Sequence, residues 1–214
     1  MIMAQAVEYY GIQFGAVKVS SENKDDLFGN GKAAYDPMSN TLFLEEGFSY
    51  ALSKGRVTIE TDREFTIRVE GNAEIKAAVR CNVPVSVISD GFYTLRITSN
   101  ISGSALQCRG LYVGPKVTLN LLSRNSQRDM YALDCNGRLE IVGGTLLAEV
   151  TTADMAVMAD ELVMERCVIE KPKGATLNKA RGGICFGDGA PAKIVRIVPK
   201  KPQDQNAKPR RTGR

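Results

Sequence analysis

The 214 residues carry a formal net charge of +4, with 43% hydrophobic and 24% charged side chains, the composition of an ordinary globular chain with room for one full core. Histidine and tryptophan are both absent. That removes every Ser-His-Asp, Cys-His and His-metal arrangement, and the 7% aromatic content is thin for stacking sugars or bases.

From the N-terminus, residues 1–44 read as a strand, a short helical turn led by Ser20 or Ser21, and a hairpin. Gly29-Asn30-Gly31 and Asp36-Pro37-Met38-Ser39-Asn40 supply the turn residues. The opening residues have no basic start followed by a long apolar stretch, so no signal peptide is expected there, and no run approaches the ~20 apolar residues of a membrane-spanning helix.

Residues 45–198 are built on a repeat. A small residue followed by an aliphatic one recurs at Ala51, Ala78, Ala105 and Ala132, three steps of 27, then at Ala156 after 24 and Gly183 after 27. Between these anchors lie short β-branched segments with period-2 alternation, such as Val57-Thr58-Ile59, Phe65-Thr66-Ile67-Arg68-Val69 and Tyr93-Thr94-Leu95-Arg96-Ile97. Three short strands per 27 residues, without a helical pattern between them, describe a rung. Rungs stack ~4.8 Å apart through parallel hydrogen bonds. The expected fold is all-β, a right-handed parallel β-helix (solenoid) of about six 27-residue rungs. An antiparallel β-sandwich is the alternative, but it has no reason to hold a constant step. Residues 1–44 then serve as a cap over the open end of the coil.

Strand alternation assigns directions within the anchor column. Its second positions (Leu52, Val79, Leu106, Leu133, Val157, Ile184) point inward. The fourth positions point inward too, which stacks Cys81, Cys108 and Cys135 as a ladder of free structural thiols and leaves Lys54 as an exception in the first rung. The third positions of the middle rungs, Arg80, Gln107 and Asp134, form an outward column. It is either a polar-ligand contact or a solvated, charge-compensating ladder.

The C-terminus is basic. Lys193 to Arg214 holds eight cations against Asp204, or +7, which leaves −3 for the rest of the chain. Residues 199–214, with Pro202 and Pro209 and no large apolar side chain after Val198, are expected to be disordered. Any nucleic-acid contact would fall to this tail.

The run VSSENKDDLFGNGKAAYDPMSNTLFLEE (19–46), followed by rungs such as YALDCNGRLEI, resembles the leader and rungs of β-solenoid repeat proteins of gut Bacteroidales and Firmicutes. Val19, Ser21, Asn23, Asp26, Gly29, Gly31, Tyr35, Asp36, Asn40, Thr41, Leu42 and Leu44 match the leader. Some of these proteins carry a carbohydrate-binding label. The resemblance implies a bacterial, exported, cell-surface protein with an adhesin-like or glycan-binding role, and it brings no catalytic residues. The cysteines of the rungs depart from the Ala or Ser usual in the group.

No residue pattern calls for a cofactor, a metal or a catalytic group. Cys135 follows Asp134 and lies near Glu140, carboxylates that oppose thiolate formation; Cys167 follows Arg166 but sits in a strand pattern. Outward carboxylates are expected at Asp134, Glu140, Glu149, Asp154, Asp160, Glu161 and Glu165. The function read from these residues is a non-catalytic binding or structural solenoid for a glycan or surface partner. A carbohydrate-active lyase or hydrolase and an intracellular self-assembling solenoid are the alternatives.

Overall fold

The computed structural model describes residues 6–100, 103–124, 130–152 and 155–201. Asp154 and residues 202–214, where most of the expected tail falls, lie outside the described residues. Among those described there are nineteen strands and no helix. The strands are β1 (Tyr9–Phe14), β2 (Val17–Ser20), β3 (Ala33–Asp36), β4 (Thr41–Leu44), β5 (Phe48–Ile59), β6 (Phe65–Val69) and β7 (Ala73–Cys81). They continue with β8 (Val85–Ile88), β9 (Thr94–Ser99), β10 (Leu106–Cys108), β11 (Leu111–Val113), β12 (Thr118–Ser123) and β13 (Leu133–Val142). The last are β14 (Thr145–Val150), β15 (Val157–Glu165), β16 (Cys167–Lys171), β17 (Thr176–Asn178), β18 (Gly183–Cys185) and β19 (Ile194–Pro199).

The middle of the chain winds as stacked parallel coils, a β-solenoid of about five turns, with three strand columns. One column runs β4, β6, β8, β11, then the second halves of β13 and β15. The next begins with 48–51 of β5 and 73–76 of β7 and continues through β9, β12 and β14. The third begins with 56–59 of β5 and 78–81 of β7 and continues through β10 and the first halves of β13 and β15. Inward residues alternate along the coil strands, as in β6, where Phe65, Ile67 and Val69 are buried and Thr66 and Arg68 are half-buried. They fill the coil with Leu95, Ile97, Leu119, Leu121, Leu139 and Ile141, each fully buried. At ~25 cal/mol per Å² of apolar surface removed from water, this shared interior is the main stabilising term.

The expected constant step does not hold at either end of the repeat. In the third column Val57 pairs with Val79, Val79 with Leu106, Leu106 with Leu133 and Leu133 with Val157, steps of 22, 27, 27 and 24. Ala51 is not the first anchor. It pairs with Lys76, and residues 52–55 bulge out opposite Ala77 before pairing resumes at Arg56 and Ala78. Lys54 sits on this bulge, exposed to water, and Ile59 takes the interior place beside Cys81. The sixth rung is also absent as a parallel coil. Gly183 pairs antiparallel with Met158, and β17 and β18 form a hairpin. Cys81, Cys108 and Cys135 are buried and free, with Cys108 directly opposite Cys135.

Among its described residues the cap has no helix, but the expected helical turn is present as one turn that is not continued. After Ser20 the chain makes a tight turn, with the Lys24 amide donating to the Ser20 carbonyl (3.0 Å) and the Ser20 amide to Asn23 Oδ1 (2.8 Å). Then β3 and β4 form the expected hairpin, and β4 already stacks in parallel on β6 from Thr41. Antiparallel β1 covers the start of the third column by pairing with β5 at Ile12–Ile59 and Phe14–Val57. An aromatic cluster seals the contact: Phe14 meets Phe28 at 5.4 Å and Tyr50 at 5.2 Å, both edge-on. Such pairs add about 0.5–1.5 kcal/mol beyond area burial.

The C-terminal end closes differently. β19 lies antiparallel between β14 and β16, so that Ile197 faces Leu146 on one side and Ile169 on the other. Val195 and Ile197 are fully buried in this slot.

Candidate functional site

A polar recess lies at the N-terminal corner, where the cap meets the first coil. Three chain segments build it: Glu8 to Gly11 at the start of β1, Tyr35 to Asn40 of the β3–β4 hairpin, and the corner Glu60 to Arg63 after β5. Its volume is about 530 Å³. Gly11 lets β1 approach this corner. Its φ is +73°, and a Cβ there would stand 2.0 Å from the carbonyl oxygen of Glu60.

The floor is held by Asn40, buried and itself in the left-handed region at φ +53°. Its Nδ2 donates to the carbonyls of Glu64 (2.8 Å) and Arg63 (3.2 Å), and its Oδ1 accepts from the Tyr35 hydroxyl at 2.7 Å. The Arg63 guanidinium donates back to the Pro37 carbonyl. The hairpin and the 60–64 corner are thereby locked together, so the recess is preorganised. Around it stand the rings of Tyr9, Tyr10 and Tyr35. Tyr10 and Tyr35 pack at 5.4 Å between centroids, while Tyr9 is 63% exposed with Lys18 Nζ 5.8 Å from its ring centre. Burial raises the Tyr35 hydroxyl, and burial followed by the Glu8 charge raises that of Tyr10. Both therefore stay protonated as donors at neutral pH. With carboxylates at Glu8, Glu60 and Asp62 and the cation of Arg63, the rim presents donors, acceptors and one open aromatic face.

The column Arg80, Gln107 and Asp134 lies in register on the outer side of the third column. The fold brings two of the three together: Gln107 Nε2 donates to Asp134 Oδ2 at 2.9 Å. Asn136 Nδ2 donates to the other oxygen at 3.2 Å. Burial raises the Asp134 carboxyl and these two amides oppose the rise. Arg80 extends the column one coil further, exposed to water. Asp134 and Cys135 point to opposite sides of the strand, the first outward and the second into the core.

The other carboxylates are dispersed. Glu140 pairs with Arg138 (3.1 Å) and Glu165 with Arg166 (3.2 Å), while Glu149 is exposed on β14 and the adjacent Asp160 and Glu161 on β15. Among the described residues no group of three His, Cys, Asp or Glu side chains is placed to hold a metal ion. Burial pushes the Cys81 thiol up to about 11 and raises Cys167 and Cys185. Cys108 is raised well above its ordinary value by its contact with Cys135 and then by burial.

The tyrosine recess was not visible as a motif, because its three segments are brought together by the antiparallel β1–β5 pairing and by the bonds of Asn40 to the 63–64 carbonyls. One signal does point to it: eight of the fourteen aromatic residues fall within the first fifty positions. Comparison with family models, with curated proteins and with solved structures found no match to this chain, so its sites are read from their own chemistry.

Proposed function

We propose that this protein is a non-catalytic β-solenoid binding module that holds a glycan in the N-terminal tyrosine recess and displays it, or is displayed by it, at a surface. The observation that carries this reading is the open ring of Tyr9 beside hydrogen-bonding groups on a preorganised floor. A sugar presents an apolar C–H face and a fringe of hydroxyls. An exposed aromatic face, an anchored phenol and guanidinium, and the carboxylates on the rim complement the two. The resemblance of the leader to exported, carbohydrate-associated repeat proteins points the same way.

The test is a glycan array followed by calorimetry on the best ligands. Tyr9→Ala and Asp62→Ala should each weaken binding at least about tenfold, equivalent to ~1.4 kcal/mol. Asp134→Ala, on the separate ladder, should leave affinity unchanged. Binding that ignores Tyr9, or no retained glycan at all, would remove this reading. Release of shortened sugar products during incubation would replace it with the carbohydrate-active enzyme.

A further inference from the structure

The two ends of the solenoid carry opposite charge. In the cap, residues 6–46 hold seven carboxylates against Lys18, Lys24 and Lys32, a net of −4. In the closing segment, residues 166–201 hold nine cations against Glu170 and Asp188, a net of +7. All nine of those cations are exposed. The intervening residues 47–165 carry twelve cations and fourteen carboxylates, only −2, so the charge is polarised along the coil rather than spread over it.

Each end also leaves apolar surface in water. At the C-terminal end, Phe186 (43% exposed) and Ile194 (52%) line an open recess of about 570 Å³ together with Pro172 and Pro191, and Lys171 and Lys193 stand at its rim. At the N-terminal end, Met38 is 84% exposed and Val7 39%, with Glu8 beside Val7. An apolar centre with a charged rim is the common build of a protein interface, and here the rims have opposite signs.

We propose that copies of this chain associate head to tail, the basic C-terminal end of one copy seated on the acidic N-terminal end of the next. The contact joins two different surfaces, so it continues into short filaments or closes into a ring. It works through side chains. At the N-terminal end β1 and β3 already lie antiparallel over two of the three columns, which blocks stacking by strand pairing there. The contact shares Glu8 with the rim of the glycan recess, but the residues reversed below lie outside that recess, so the two readings can fail separately.

Sedimentation velocity on the full chain, over a range of concentrations, reads the association directly. At low ionic strength the sedimentation coefficient should rise with concentration. In ~1 M salt, where the screening length falls to about 3 Å, that rise should be lost. Reversing Lys171, Lys173, Lys193, Lys200 and Lys201 to Glu takes residues 166–214 from +10 to zero and should abolish association. Reversing Glu22, Asp25 and Glu45 to Lys takes the cap from −4 to +2 and should do the same. Mixing the two variants should restore it, because each then presents an end complementary to the other. A monomer at every concentration in low salt overturns the proposal. So does association that survives either reversal, or a mixture that stays monomeric. Circular dichroism of each variant establishes that the reversed chains remain folded.

Discussion

The two ends of this solenoid solve one problem in opposite ways. A parallel coil exposes unpaired strand edges where it stops, and such edges invite further pairing. At the N-terminus, antiparallel strands are laid outside the first coil and held by aromatic packing of Phe14, Phe28 and Tyr50. At the C-terminus the closing strand is not laid outside: β19 enters between β14 and β16. The first device is an added lid, whereas the second is part of the stack. A lid can loosen without disturbing the coils below, but a strand within the stack cannot leave without parting its neighbours.

Stability in stacked repeats is close to a sum of units and their interfaces, so damage at one end should be felt mainly there. The largest effect is expected for Phe14→Ala, which removes a fully buried ring from the lid and should cost ~3–5 kcal/mol in urea unfolding. Hydrogen exchange should then show lost protection in β1, β2 and 56–59 of β5, with the middle coils intact. Ile197→Ala, at ~2–5 kcal/mol, should release β14 and β16 together, because each pairs with β19. Loss of protection in β16 alone would mean that the end strand is only a second lid. Gly11→Ala forces a Cβ onto the Glu60 carbonyl at positive φ and should cost about 1–3 kcal/mol, while also narrowing the tyrosine recess.

The smallest effect is expected in the middle, at Asp134. Its carboxyl is raised by burial, so the folded state binds that proton more tightly than the unfolded chain does. The group's contribution is therefore most favourable below the ordinary carboxylate range and is lost as pH rises through the raised value. Asp134→Asn should be slightly more stable than the parent at pH 7, and the gain should shrink towards pH 3. A gain that grows on acidification would show that the Gln107 and Asn136 bonds outweigh burial.

What could be read from the residues follows from which forces act locally. Inward alternation must recur wherever a strand borders the core, so the parallel coil and the Cys81, Cys108 and Cys135 ladder were legible. Coil length was not fixed by the core. Corners can take up extra residues, as 52–55 do opposite Ala77, and the alignment of Ala51 with Ala78 was therefore an accident of spacing. The cap's helical turn after Ser20 is not continued into a helix, because the chain turns again at once around Asp26, whose carboxylate accepts from the Asn30 and Gly31 amides before β3 begins. In the predicted column, Gln107 meeting Asp134 followed from register. The tyrosine recess and the slot for β19 depend on contacts between distant segments, antiparallel at β1–β5 and β14–β19–β16 and through the Asn40 side chain at the hairpin, for which alternation within a strand offers no marker.

The position of β19 also constrains how the molecule can be made. Coils that close on their predecessors can form in order as the chain leaves the ribosome, each new turn finding its template already in place. The fifth turn cannot finish that way. Its second face needs residues 194–199, synthesised after the turn itself, and until they arrive β14 and β16 have no strand between them. The last turn is therefore completed only when the C-terminal segment is in place. A chain stalled or cut before Ile194 would leave its last turn open.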